Sequence, residues 1–67
     1  MPTLMTKVKE YREAARMTQS ELAAKVGVRR ETILHLESGR YNPSLKLAMD
    51  IAKVFDTTVE QLFAFED

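Results

Sequence analysis

Residues 18–39 read Thr18-Gln19-Ser20-Glu21-Leu22-Ala23-Ala24-Lys25-Val26-Gly27-Val28-Arg29-Arg30-Glu31-Thr32-Ile33-Leu34-His35-Leu36-Glu37-Ser38-Gly39, and they decide the fold. Thr18 and Glu21 have the spacing of a capping box. The Thr18 hydroxyl accepts from the Glu21 backbone N–H, and the Glu21 carboxylate accepts from that of Thr18. A helix therefore starts there and buries Leu22, Ala23 and Val26. Gly27 stops it, because only glycine takes left-handed geometry at low steric cost. A further helix over about Arg30–Ser38 buries Ile33 and Leu36 and ends at Gly39. About three residues around Gly27-Val28 join the two, too few for antiparallel packing, so the helices cross steeply. Ala23 is small enough for the later helix to approach closely.

Helical spacing continues on both sides. Val8, Tyr11 and Ala15 recur on one face of a helix from Lys7 to about Ala15, with Lys9, Glu10 and Glu13 opposite. Asn42-Pro43-Ser44 is a turn in which Ser44 caps a fourth helix that turns Leu45, Ala48, Ile51, Ala52 and Phe55 inward. Thr58 and Gln61 have the spacing of another capping box, for a last helix from Val59 to about Ala64. Met1–Thr6 reads as a loose leader. No strand-like alternation stands out, so the expected class is all-α, with five helices in one domain spanning residues 1–67.

Composition narrows the function. With no cysteine in 67 residues, disulfides, thiolate metal sites and cysteine nucleophiles are excluded. His35 is alone, which leaves no histidine metal cluster and no Ser–His pair. General acid–base or metal chemistry lacks its residues, so neither an enzyme nor a cofactor or metal is expected. No apolar run approaches the ~20 residues of a membrane helix and no signal-peptide pattern opens the chain, so a soluble, cytoplasmic domain is expected. Ten basic residues balance ten acidic ones, but unevenly. Residues 1–42 hold eight Lys/Arg and five Asp/Glu, whereas residues 43–67 hold two and five. A basic end and an acidic end orient a neutral chain toward a polyanion.

The stretch Met17–Ala23, followed by Lys25-Val26-Gly27-Val28, resembles the second helix and turn of the Cro/repressor-like (Xre) helix-turn-helix proteins, which include the lambdoid phage repressors. Glu31-Thr32-Ile33, Leu36–Gly39, Tyr41–Leu45, Leu47-Ala48, Ile51–Phe55 and Val59–Phe63 continue the match, so the resemblance covers roughly Val8–Phe63. Short regulators made of this domain alone are common in the family, which implies that nothing is missing here. Three positions depart from the pattern. Arg16 and Asp56 stand where the family usually has Gly, and Arg29 stands where it usually has a Ser or Thr cap. The first two put non-glycine residues in left-handed geometry; the third exchanges a cap for a second cation beside Arg30.

The resemblance implies a lambda-repressor-like five-helix domain whose third helix lies in the major groove with its N-terminal end on the base edges. Arg29 and Arg30 are then the candidate donors to guanine O6 and N7, and Glu31 a candidate acceptor from cytosine N4. His35, one turn on, faces a guanine or a phosphate, and Leu34 a thymine methyl. Thr18, Gln19, Thr32, Arg40, Tyr41 and Asn42 are the candidate phosphate contacts, and Arg12 and Glu37 match a buried ion pair clamping the first and third helices. The expected partner is double-stranded DNA, bound by a homodimer at a pseudo-palindromic operator, with no small-molecule ligand; repression is the expected output. Phe63 and Phe65 are the expected dimer contacts, since two phenylalanines two apart cannot share one helical face and one of them must protrude. An antitoxin-like or accessory protein of the same fold, acting mainly on another protein, is the competing reading. The Arg29-Arg30 pair favours DNA.

Overall fold

The computed structural model describes residues 3–66. In chain order the elements are β1 (Thr3–Thr6), α1 (Val8–Ala14), α2 (Gln19–Val26), α3 (Arg30–Glu37), α4 (Leu45–Val54), α5 (Val59–Leu62) and β2 (Phe63–Glu66). The five helices stand where apolar spacing and caps put them. Thr18 makes the full capping box, with N–H···O distances of 3.0 Å to its hydroxyl and 2.8 Å to the Glu21 carboxylate. Ser44 accepts from the Leu47 N–H and Thr58 from that of Gln61, but the Gln61 side chain does not return to Thr58, so the second capping box is only half made. Gly27 ends α2 at φ 73°. Arg16 and Asp56, at φ 56° and 53°, take the left-handed conformation that glycine would adopt with less strain.

Val8, Leu22, Ala23, Ile33, Leu36, Leu47, Ile51, Ala52 and Leu62 form one core, drawing on all five helices. Tyr11 and Phe55 close its rim with ring centroids 5.9 Å apart. α4 offers the core a different stripe from the expected one. Leu47 is buried while Leu45, two residues earlier, is 71% exposed. Leu45 borders the Leu47-Ala48-Ile51-Ala52 face, one turn before Ala48, but it opens α4 directly after the Ser44 cap, and the core ends short of it. In α1, Ala15 is exposed and only caps the C-terminal end.

The two ends of the chain correct the helical reading. Thr3–Thr6 is a strand, not a loose leader, and pairs antiparallel with Phe63–Glu66 in the register Thr3–Glu66, Leu4–Phe65, Met5–Ala64 and Thr6–Phe63. Met1 and Pro2, the rest of the expected leader, lie outside the described residues. The last helix stops at Leu62, two residues short of expectation, because Phe63 turns to extended backbone with φ −131° and ψ 142°. Each strand is only four residues long. Neither carries a strand signal by itself; their stability comes from pairing between residues some sixty positions apart, which local periodicity does not register. The domain is thus predominantly helical with a small two-stranded sheet.

In a strand, residues two apart share a face. Both phenylalanines therefore lie on the side of the sheet that carries Leu4, and the expectation that they diverge was wrong about the cause. Phe63 is half-buried against the core, and Phe65 is 61% exposed.

Candidate nucleic-acid interface

The exposed face of α3 collects the residues singled out for base contacts. With Ile33 and Leu36 fully buried, Arg30, Glu31, Leu34 and His35 face outward, and Arg29 stands exposed just ahead of the helix. Arg29 caps α3 in extended geometry, and its side chain makes no capping bond. The guanidinium is thus not committed to its own helix end, at a cost of about 1 kcal/mol in lost capping. Thr32 is half-buried. Arg40, Tyr41 and Asn42, on the loop after α3, are all exposed.

Beneath this surface runs a chain of polar contacts joining three helices. Arg12 of α1 donates from Nε to Glu37 Oε2 at 2.7 Å and from Nη2 to Oε1 at 3.1 Å, a two-pronged pair at the end of α3. Its Nη1 also donates to the Met17 carbonyl at 2.8 Å, on the loop leading into α2. Only 10% of the Arg12 side chain and 5% of the Glu37 side chain reach solvent. The Glu37 hydrogen bond, opposed by burial and helped by the Glu37 and Glu13 charges, holds the guanidinium protonated more firmly than in water. Gln19 then donates from Nε2 to Glu37 Oε1 at 3.1 Å, and its Oε1 accepts from Arg30 Nη1 at 3.4 Å. Arg30 is therefore tied through Gln19 to the ion pair, whereas the side chains of Arg29 and His35 bond to nothing among the described residues.

This bridging part of Gln19 is what sequence reading missed. Gln19 stands eighteen residues from Glu37 and eleven from Arg30, so no local pattern reports the contact. The packing of α2 against α3 supplies it. Thr18 differs: its hydroxyl is held by the Glu21 N–H, leaving only its remaining lone pair and proton free at the start of α2.

Two short helices crossing at a left-handed glycine, with a basic N-terminal end on the outward one, define a motif that a family profile tests directly. The profile described as helix-turn-helix matches residues 8–62. The chain belongs to the helix-turn-helix family. An uncharacterized HTH-type transcriptional regulator of Archaeoglobus fulgidus is 58% identical over 64 residues, covering 96% of this chain and 91% of that one. A second, from Methanocaldococcus jannaschii, is 48% identical over 64 residues, with 96% and 97% covered. Among solved structures, the N-terminal DNA binding domain of SinR from Bacillus subtilis superposes with a TM-score of 0.75 at 30% identity, over 82% of this chain and 81% of that one. In this helix-turn-helix chain the segment Gln19–Glu37 is the motif itself. No helix among the described residues is long and apolar enough to cross a membrane.

Proposed function

We propose that this chain is a sequence-specific DNA-binding transcriptional regulator, a cytoplasmic repressor that acts as a homodimer on a pseudo-palindromic operator without cofactor, small-molecule ligand or catalysis. The observation that carries this reading is the pair of exposed arginines at the N-terminal end of α3. One is held by Gln19 and the other is free of capping duty. Arg29 and Arg30 reach guanine edges, Glu31 accepts from a cytosine or steadies an arginine, and His35 meets a base or phosphate one turn deeper. Thr18, Gln19, Thr32, Arg40, Tyr41 and Asn42 fix the register on the backbone. Residues 1–67 work as one domain, and two copies joined through Phe63 and Phe65 set their third helices about 34 Å apart. Two features support the reading: the names borne by the relatives, and the concentration of positive charge in the half of the chain that holds the motif.

Selection of bound sequences from a random duplex pool tests it, followed by titration of Arg29→Ala, Arg30→Ala and Arg40→Ala against the selected site. A two-fold-related consensus is expected. At least one of the first two variants loses about 1–3 kcal/mol and relaxes preference at one base pair, while Arg40→Ala weakens all sequences alike. No enrichment from the pool, or α3 variants that bind like the parent, overturns the reading.

A further inference from the structure

We infer that two copies of this chain join edge to edge through β2, strand antiparallel to strand, into a four-stranded sheet with Phe65 on the two-fold axis. This rests on the homodimer proposed above and specifies how it is built.

The hydrogen-bond phase of the sheet points to β2. The Lys7 N–H donates to the Leu62 carbonyl at 2.9 Å, continuing the β1–β2 register by one pair. In an antiparallel ladder such bonded pairs alternate with unbonded ones. Met5–Ala64 and Thr3–Glu66 are therefore the bonded pairs, and Leu4–Phe65 and Thr6–Phe63 the unbonded ones. The N–H and C=O of Leu4, Thr6, Phe63 and Phe65 accordingly point away from the partner strand, along the two outer edges of the ribbon.

The two edges differ. On the β1 side, Gly39 closes the way: a Cβ built on it meets the Leu4 carbonyl oxygen at 3.0 Å, so the turn after α3 already lies against that edge. On the β2 side, Phe63 N–H is taken by the Val59 carbonyl, but among the described residues nothing bonds the N–H or C=O of Phe65. A two-fold axis through Phe65 lets each copy's N–H donate to the other's C=O, so both groups are satisfied by one reciprocal pair. Open strand edges of this kind pair with other strands.

Side chains agree with the register. Residues facing each other across an antiparallel pair stand on the same side of the sheet, so the two Phe65 rings meet on the face that carries Leu4. There they border a shallow groove of about 270 Å³ lined by Leu4, Pro43, Leu45, Ala48, Val59 and Phe63. Leu45, misplaced by helical spacing and 71% exposed, forms its outer lip. With about 200 Å² for an aromatic side chain, the exposed parts of Phe65 and Leu45 offer roughly 500 Å² of apolar surface over two copies. That is less than half of the ~1,200 Å² of a stable interface. The free protein is thus a weak dimer, and adjacent half-sites on one duplex complete it by raising the local concentration.

The chain has no cysteine of its own, so the register can be read by cross-linking. In the proposed sheet Ala64 faces Glu66 of the second copy as an unbonded pair, with Cα atoms about 4.5 Å apart. Both side chains are exposed, so Ala64→Cys and Glu66→Cys leave the core intact. Mixing the two full-length variants under mild oxidation is expected to give the mixed disulfide at least tenfold over either self-pair. Phe65→Pro deletes an N–H that β1 does not use and is expected to raise the dimer dissociation constant at least tenfold by sedimentation equilibrium, with an unchanged circular dichroism spectrum; Phe65→Leu, which keeps the N–H, raises it less. Self-pairs that equal or exceed the mixed product, or a Phe65→Pro chain that dimerises like its parent, overturn the strand-edge interface while leaving a homodimer by another surface. A monomer both free and on the selected site overturns it together with the dimer. The mixed disulfide forming in a chain that enriches no DNA sequence upholds the sheet and removes only the DNA reading.

Discussion

Replacing Arg12 with leucine removes the cation from a pair that is almost wholly sheltered. Three hydrogen bonds go with it: two to Glu37 and one to the Met17 carbonyl. Glu37 stays behind with 5% of its side chain exposed and only Gln19 as donor. Stranding one member of a buried pair costs roughly 3–5 kcal/mol, most of it the desolvation of the charge left over. At about 0.05–0.15 kcal/mol per residue, a domain of this size has on the order of 3–10 kcal/mol in total, so the single change takes up much or all of it. With a urea slope of about 1 kcal/mol/M for so small a chain, the midpoint moves down by roughly 3–5 M. Arg12→Met with Glu37→Leu fills the same space without charge and recovers a large part of the loss, as apolar replacements of buried pairs commonly do. Urea titration followed by circular dichroism measures the parent, the single variant and the double variant. A single variant whose midpoint lies within about 0.5 M of the parent would show that the pair is solvated and its burial inconsequential.

Backbone strain, caps and charge elsewhere in the fold are open to four further substitutions. Gly39→Ala is expected to cost more than Gly27→Ala: both carry positive φ, worth about 1 kcal/mol or more, but only the former drives a methyl against the Leu4 carbonyl. Equal losses in thermal melts would mean that β1 gives way freely. Arg16→Gly relieves left-handed strain and gains about 0.5–1 kcal/mol, more than Asp56→Gly, since aspartate tolerates that region better than arginine; melting temperatures decide the order. Arg29→Ser restores a capping oxygen and gains about 1 kcal/mol of stability while weakening DNA binding, to be read by parallel urea and duplex titrations. Glu21 is held below the usual glutamate range, chiefly by the Thr18 backbone N–H. Its stabilisation is therefore full above the ordinary glutamate pKa and is lost as pH falls through the lower folded value. The gap in urea midpoint between the parent and Glu21→Gln should shrink from pH 7 to pH 3, and a constant gap would remove the carboxylate from the cap.

Legibility in the sequence followed the range of the interaction. Caps and helix stops act over three or four residues, and Thr18, Ser44, Thr58 and Gly27 all stood where spacing put them. The left-handed turns at Arg16 and Asp56 were legible by a different route, as departures from a familiar pattern. The sheet was not, because Leu4 and Phe65 have no local reason to be extended and become strands only by finding each other across the chain. Leu45 and Leu47 are alike in hydropathy, and the choice between them is made by α2, the surface α4 packs on, rather than by α4. At the interface the identities of the outward residues of α3 followed from burying Ile33 and Leu36. The bonds through Gln19 did not, since they depend on the crossing of two helices to within a few tenths of an ångström.

That crossing also divides the outward face of α3 into two kinds of position. Arg30 is anchored through Gln19 to a buried pair, so replacing it leaves a glutamine oxygen without its donor and disturbs contacts deeper in. Among the described residues Arg29, Glu31 and His35 have no such tether. For a chain that reads DNA with this helix, new operators are then most accessible through the untethered three, where a replacement leaves the buried pair undisturbed. A lineage drifting to new targets would vary there first and keep Arg30 and Gln19 together, and a designer retargeting the domain should randomise in the same order.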